Sequence, residues 1–272
     1  MIRCAAMRQR WSRRLLIVTG LASICTWAGS LSCSSSDGPD AVDRGAQLFQ
    51  SRELSSTDAN IYTCATCHDS ASGQQSNQQS ASAASATIKP GALLAGVTRR
   101  PSFWGGMESD LLDAVDDCRQ FFMYDRDALG RNDAKAVALY AFLVSLEPGN
   151  ADPVAFTVPS NIADVPRGDA GRGQSLFSNA CGGCHGQMHS GVGRLSSVAP
   201  ILPEDTITSH TGYDADTLRL IFIEKARHGG FYGYSGVMPP FSEEVLNDSA
   251  LGDILEAFGV TGMPTATDSG TP

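Results

Sequence analysis

The chain has 272 residues, of which 42% are hydrophobic and 7% aromatic, a composition typical of a folded protein with one large domain or two ordinary ones. Its formal net charge is −9, and removal of the five arginines in the first 32 residues makes it −14. Such an acidic surface repels nucleic acid and anionic lipid, and it favours a protein partner with a basic docking surface. An acidic face that is merely solvated is the alternative.

Residues 1–32 have the layout of an export signal, because arginines and no acidic residues precede an apolar run from Leu15 to about Trp27. That run is shorter than the roughly 20 residues that a bilayer-spanning helix needs. Cys33, followed by a polar run, resembles a bacterial lipoprotein junction. The resemblance implies a lipid on Cys33 and a flexible tether over 33–40, with ordinary cleavage nearby as the alternative. The predicted location is the periplasm or cell envelope, with or without this lipid anchor.

A repeat organises the remaining chain. Residues 44–49 (RGAQLF) recur as residues 172–177 (RGQSLF), and each copy precedes a Cys-x-x-Cys-His motif, at 64–68 and at 181–185. Self-similarity of this kind indicates two copies of one structural unit.

Each copy of the repeat is followed, near the end of its half of the chain, by a segment with helical periodicity. Apolar residues at three- and four-residue spacing predict helices over Asp133–Leu146 and Asp248–Val260, and further helices over Ser109–Phe122 and Asp216–Arg227. The fold class is therefore predicted to be all-α, with two tandem helical domains. The predicted parts are a signal peptide (1–32), a tether (33–40), domain one (41–147), a Pro- and Gly-rich linker (148–168), domain two (169–262) and a disordered tail (263–272).

The Cys-x-x-Cys-His motifs indicate covalent haem attachment. Two thiols at this spacing add to the two vinyl groups of one haem, and the adjacent histidine ligates the iron. A zinc site usually needs a second ligand pair nearby, and a thioredoxin-like pair needs a βαβ context that is absent here. Two haem c groups are predicted, attached at Cys64, Cys67, Cys181 and Cys184, with His68 and His185 as iron ligands.

The sixth iron ligand of domain two is predicted to be Met238, in the sequence GVMPPF that precedes the last helix. Here the chain resembles class I cytochrome c, whose axial methionine lies in a Met-Pro-rich loop. The resemblance implies that the carbonyl of Pro200 accepts the proton of the proximal imidazole. It also implies a close crossing of the first and last helices of each domain. The crossing residues are Gly173, Phe177 and Phe258 in domain two, and Gly45, Phe49 and Phe142 in domain one.

Domain one has two candidate methionine ligands. Met123 precedes the last helix at 55 residues from His68, close to the 53 between His185 and Met238, and is the first choice. Met107 is the second choice, because a predicted helix follows it before the ligand loop.

Cys118 is the third candidate ligand of haem one. The segment 111–146 is similar to part of the diheme thiosulfate dehydrogenases, in which a cysteine thiolate ligates the catalytic haem and binds sulfur. The similarity covers only some 35 residues, and the chain has Met123-Tyr124-Asp125 where that family has Met-Asn-Gly. A buried cysteine that only fills space, with Met123 as the ligand, is the alternative.

These patterns predict a diheme electron carrier rather than a catalyst. The alternatives are an oxidoreductase acting on sulfur compounds through Cys118, or a diheme peroxidase. Arg99, Arg100 and Trp104 are candidates for hydrogen bonds to the propionates of haem one. Three further histidines, which we interpret as surface or satisfied side chains rather than ligands, are His189, His210 and His228.

Overall fold

A computed structural model describes residues 39–70, 87–91, 93–146, 153, 155–233, 236–260 and 262. The predicted signal peptide, Cys33 and the predicted tail lie outside these residues, as does most of the predicted tether. No helix of the described part of the chain is both long enough and apolar enough to cross a membrane.

The first half of the described chain is built from four α-helices. Aspartates begin the third and fourth, because the side chain of Asp110 accepts from the backbone N–H of Leu112 and that of Asp133 accepts from Lys135. The helices are α1 (Pro39–Gln50), α2 (Cys64–Cys67), α3 (Leu111–Phe122) and α4 (Ala134–Ser145).

Five more α-helices form the second half of the described chain. Asp169, Asp214 and Asn247 cap α5, α8 and α9 by accepting a backbone N–H of the first turn. The helices are α5 (Ala170–Ala180), α6 (Gly182–His185), α7 (Glu204–Ser209), α8 (Ala215–His228) and α9 (Asp248–Ala257). No β-strand occurs in the described residues, so the all-α prediction is confirmed.

Helices α1 and α4 cross at Gly45. A Cβ at this position would overlap the backbone carbonyl oxygen of Ala138 and lie 2.5 Å from the Cβ of Phe142, so only glycine permits the approach. The rings of Phe49 and Phe142 meet beside the crossing with centroids 5.4 Å apart. Such an aromatic pair contributes about 0.5–1.5 kcal/mol beyond its buried area.

Helices α5 and α9 cross in the same way at Gly173. A Cβ there would overlap the carbonyl oxygen of Asp253 and lie 2.8 Å from the Cβ of Ala257. Phe177 and Phe258 form the neighbouring pair, edge to face at 5.5 Å. Both helix crossings implied by the sequence resemblance are therefore present.

Each half has its own apolar core. The core of the first half gathers around the α1–α4 crossing and that of the second half around the α5–α9 crossing. A third, smaller cluster centred on Tyr62, Phe122 and Met123 includes side chains from both halves. The division into two domains and its exact limits stay predictions.

Candidate functional site

The first Cys-x-x-Cys-His motif is one helical turn with its histidine at the C-cap. Thr63 caps α2 by a reciprocal pair of hydrogen bonds with Thr66, and the N–H of His68 donates to the carbonyl of Cys64 at 2.9 Å. Residues three apart lie on the same face of a helical turn, so Cys64 and Cys67 face the same side.

That turn opens onto a cavity of about 440 Å³. Its wall contains Cys64, Cys67 and His68, and most of the rest is aliphatic or aromatic. A volume of 300–1,000 Å³ with apolar walls and a few polar groups is typical of a cofactor site. The wall also includes two sulfur side chains beyond the motif, Cys118 on α3 and Met123 just after it.

Met123 is fixed by a buried polar network. Its side chain is only 3% exposed, and its carbonyl accepts from the hydroxyl of Ser55 at 3.1 Å. Arg119, one turn earlier on α3, pairs with the buried carboxylate of Asp125 at 2.6 Å. Asp125 also accepts from the backbone N–H and the hydroxyl of Ser56. The loop that carries Met123 is thus held at both ends.

The three candidate sixth ligands of the first site differ in position. Met107 is 58% exposed and does not line the cavity. Cys118 is half-buried in the wall, and desolvation raises the pKa of its thiol well above the usual range, as do the nearby thiols of Cys64 and Cys67. Met123 and Cys118 both line the cavity, so both stay candidates for the sixth ligand.

Sequence reasoning missed Lys89 and Gly91. A Cβ at Gly91 would overlap Cε1 of the His68 ring, so the imidazole packs directly on this backbone. The ammonium group of Lys89 donates to the carbonyl of His68 at 3.2 Å and pairs with Asp69 at 2.8 Å. The Pro-Gly pair at 90–91 was the available signal, since it marks a turn after the low-complexity stretch.

The second motif is the short helix α6 with His185 at its end. His185 is 7% exposed, and its Nδ1–H donates to the carbonyl of Pro200 at 2.9 Å, as the sequence resemblance implied. Burial lowers the pKa of His185, although the hydrogen bond to Pro200 opposes this. A neutral imidazole with Nδ1 fixed in this way leaves Nε2 as the ligating nitrogen.

Met238 lies in a tight loop between α8 and α9. Its carbonyl accepts from the N–H of Gly230 at 2.8 Å, and a Cβ at Gly229 would overlap the same oxygen. Its half-buried side chain packs on the second-half core, against which Cys181 also packs. Two thiols, a fixed imidazole and a thioether, of which Cys181 and Met238 pack on the same core, are the donor set of a haem c site, so the residues fit that group.

Burial raises the pKa of Cys67 to about 12, and Cys184 is the largest electrostatic cause. Cys67 and Cys184, one thiol from each pair, therefore lie close enough to interact electrostatically.

Of the residues predicted to contact propionates, Arg100 lines the first cavity, and desolvation lowers the pKa of its guanidinium. Trp104 also lines the cavity, but its indole N–H donates to the carbonyl of Ala114 at 3.0 Å. The only donor of the indole is therefore engaged by this backbone carbonyl, and a hydrogen bond from Trp104 to a propionate stays a prediction. Part of the predicted linker, Pro153 together with Ala155 and Phe156, also lines the cavity.

The other histidines have local partners. Both ring nitrogens of His228 are hydrogen bonded, to Glu224 at 2.6 Å and to the carbonyl of Pro159 at 2.8 Å. His189 contacts Glu204, and His210 contacts the carbonyl of Thr206. This agrees with their interpretation as satisfied side chains.

Residues 168–256 match the family described as cytochrome C oxidase, cbb3-type, subunit III. The matched segment is about a third of the chain and contains the second motif and Met238. It supports a c-type cytochrome with covalently bound haem that transfers electrons. No curated protein matches the chain.

Proposed function

We propose that the chain is a diheme c-type cytochrome that transfers electrons in the bacterial cell envelope. The cavity of about 440 Å³ in the first half carries this proposal, because its wall combines two thiols, an imidazole and further sulfur side chains. This half lies outside the matched family segment, so the proposal of a haem at Cys64 and Cys67 rests on the geometry of the first half alone. Bound haem supplies one-electron redox chemistry, and the chain supplies attachment, iron ligands and an apolar wall.

In this proposal His68 and Met123 ligate the first iron, and His185 and Met238 ligate the second. The Arg119–Asp125 network fixes the loop that carries Met123, so this loop loses little conformational entropy when the sulfur binds iron. Pro239 stiffens the Met238 loop to the same effect. A thioether stabilises Fe(II) and raises the reduction potential. Two low-spin, six-coordinate irons are expected.

The number of haem groups is measured by the mass of the denatured chain. We expect two haem additions in the wild type, one in Cys64→Ser/Cys67→Ser and one in Cys181→Ser/Cys184→Ser. Cys118→Ser is the matched control, since that thiol is not placed in a Cys-x-x-Cys-His motif, and it should retain both. A single addition in the wild type, lost only from the second pair, would refute the diheme proposal.

The partner is proposed to be a redox protein with a basic docking surface. The full chain has a formal charge of −9, and loss of the five arginines of the leader would make it −14, which favours a basic partner. The rate of electron exchange with a basic cytochrome should fall steeply as salt is added. Exchange that is insensitive to ionic strength would contradict docking by charge. Attachment of lipid at Cys33 is likewise proposed, and the mass of Cys33→Ala beside the wild type tests it.

Cys118 supports a second candidate, an oxidoreductase for sulfur compounds. Its place in the cavity wall beside Met123 is the specific observation. If the thiolate binds iron, Cys118→Ala changes the spectrum of the first haem and abolishes thiosulfate oxidation. Met123→Leu then leaves the spectrum and the oxidation rate unchanged. The reverse pattern, in which only Met123→Leu loses the first haem's part of the methionine-to-iron charge-transfer band, supports the electron carrier.

A further inference from the structure

The two predicted methionine loops share one apolar cluster. Met123 is at its centre, and Val237, the neighbour of Met238, packs against the same residues. The loops belong to different halves of the chain, yet one set of side chains lies between them.

Four aromatic side chains make this contact, and we call them the aromatic bridge: Trp104, Phe121, Phe122 and Phe231. Phe231, from the second half, stacks on Trp104 with centroids 4.2 Å apart and planes 27° apart. It meets Phe121 edge to face at 5.3 Å. Trp104 and Phe122 also line the first cavity, so Phe231 touches the back of that cavity's wall.

The Met238 loop itself completes the wall. Pro239 and Pro240 line the first cavity directly, although both follow Met238 in the second half. On its other side the loop is fixed to the second half, because Gly230 donates to the carbonyl of Met238 and Phe241 donates to that of Ala226 at 2.8 Å. A group that fills the first cavity therefore packs against the two residues that follow Met238.

Phe231, a member of the aromatic bridge, follows directly on a residue that is packed tightly against the Met238 loop. A Cβ at Gly230, the preceding residue, would overlap the carbonyl oxygen of Gly236 and lie 3.4 Å from the Phe121 ring. Phe231 is thus directly bonded to the residue whose N–H donates to the carbonyl of Met238.

We propose that the aromatic bridge and Pro239–Pro240 couple the two sites, so that haem bound in the first cavity strengthens the ligation of the second iron by Met238. Phe231 is the positioning residue. A filled cavity gives the two prolines a packing partner and reduces the entropy that the loop loses when its sulfur binds iron. This inference rests on the proposed diheme function.

The test measures how readily imidazole displaces Met238 from the ferric second haem. Displacement is followed by the methyl resonance of Met238 in protein labelled with [¹³C-methyl]methionine. The variants are Phe231→Leu, Cys64→Ser/Cys67→Ser, and their combination. Tyr213→Leu is the matched control, because Tyr213 is an aromatic residue of the same half that is 59% exposed and lies outside the bridge.

We expect the imidazole affinity of the second site to rise on the order of tenfold in Phe231→Leu and in Cys64→Ser/Cys67→Ser. The combination should add little to either change, since both remove the same coupling. Tyr213→Leu should bind imidazole as the wild type does.

Equal imidazole affinity in the wild type and in a one-haem Cys64→Ser/Cys67→Ser chain with normal helical circular dichroism would overturn the coupling. If that chain does not fold, equal affinity of Phe231→Leu and Tyr213→Leu, both carrying two haems, overturns it as well. Failure of the diheme proposal is a separate result, because it appears as one haem addition in the wild-type mass.

Discussion

Replacement of Asp125 by asparagine should destabilise the first half and release Met123. Asp125 is 1% exposed and pairs with Arg119, which is 5% exposed. Removal of one partner of a buried pair costs about 3–5 kcal/mol because the other charge stays desolvated. Asp116 still contacts the Arg119 guanidinium, so we expect the lower end, about 3 kcal/mol.

Guanidinium chloride unfolding followed by circular dichroism measures this loss, and the intensity of the methionine-to-iron charge-transfer band reports on Met123. Asp127→Asn is the matched control, because the side chain of Asp127 is exposed, and its effect should stay within about 0.5 kcal/mol. If both variants unfold at the same denaturant concentration and keep the band, the network does not hold the ligand loop.

The same pair gives a pH dependence. Burial alone would raise the pKa of Asp125, but hydrogen bonds from Ser56 and Asp127 and the charge of Arg119 lower it overall. The folded-state pKa therefore lies below the unfolded value of about 3.9. The stability that Asp125 contributes is complete above that value and is lost as the pH falls through the folded-state pKa. The difference between wild type and Asp125→Asn should be constant from pH 7 to pH 5 and should shrink below about pH 4.

Three further changes have expected outcomes. Gly173→Ala forces a Cβ onto the carbonyl oxygen of Asp253, so a loss of about 1–3 kcal/mol is expected in denaturant unfolding, and no loss would contradict the close crossing. Leu139→Ala removes a side chain that is 2% exposed in the first-half core and cavity wall, and should cost about 2–5 kcal/mol by the same measurement. Met107→Leu should leave the haem spectrum unchanged whereas Met123→Leu alters it, and a spectral change in Met107→Leu alone would make Met107 the ligand.

Much of the local architecture was predictable because its signals are short in sequence. The predicted helix over Asp133–Leu146 is observed as α4 with Asp133 as its cap, and the one over Ser109–Phe122 begins two residues later than predicted, at α3. The helix crossings at Gly45 and Gly173 were implied by the resemblance to class I cytochrome c, and the structure shows why glycine is needed there, since a Cβ would overlap a backbone carbonyl. The hydrogen bond from His185 to Pro200 followed from a family resemblance rather than from spacing.

Contacts between irregular segments were not predictable. Gly91 lies against His68 across a low-complexity stretch that has no periodicity, and Ile88 donates its N–H to the carbonyl of Asn179, far along the chain, at 2.9 Å. Loops have no repeating apolar pattern, so their sequence does not indicate which residues they contact in the folded chain.

The sequence by itself determined two thiol-and-histidine motifs, the helices around them and an all-α class, because these depend on spacings of a few residues. The tertiary structure alone decided that Pro239 and Pro240 line the cavity of the other half and that Phe231 stacks on Trp104. Those contacts join residues more than a hundred positions apart, and only close packing of the two halves selects them.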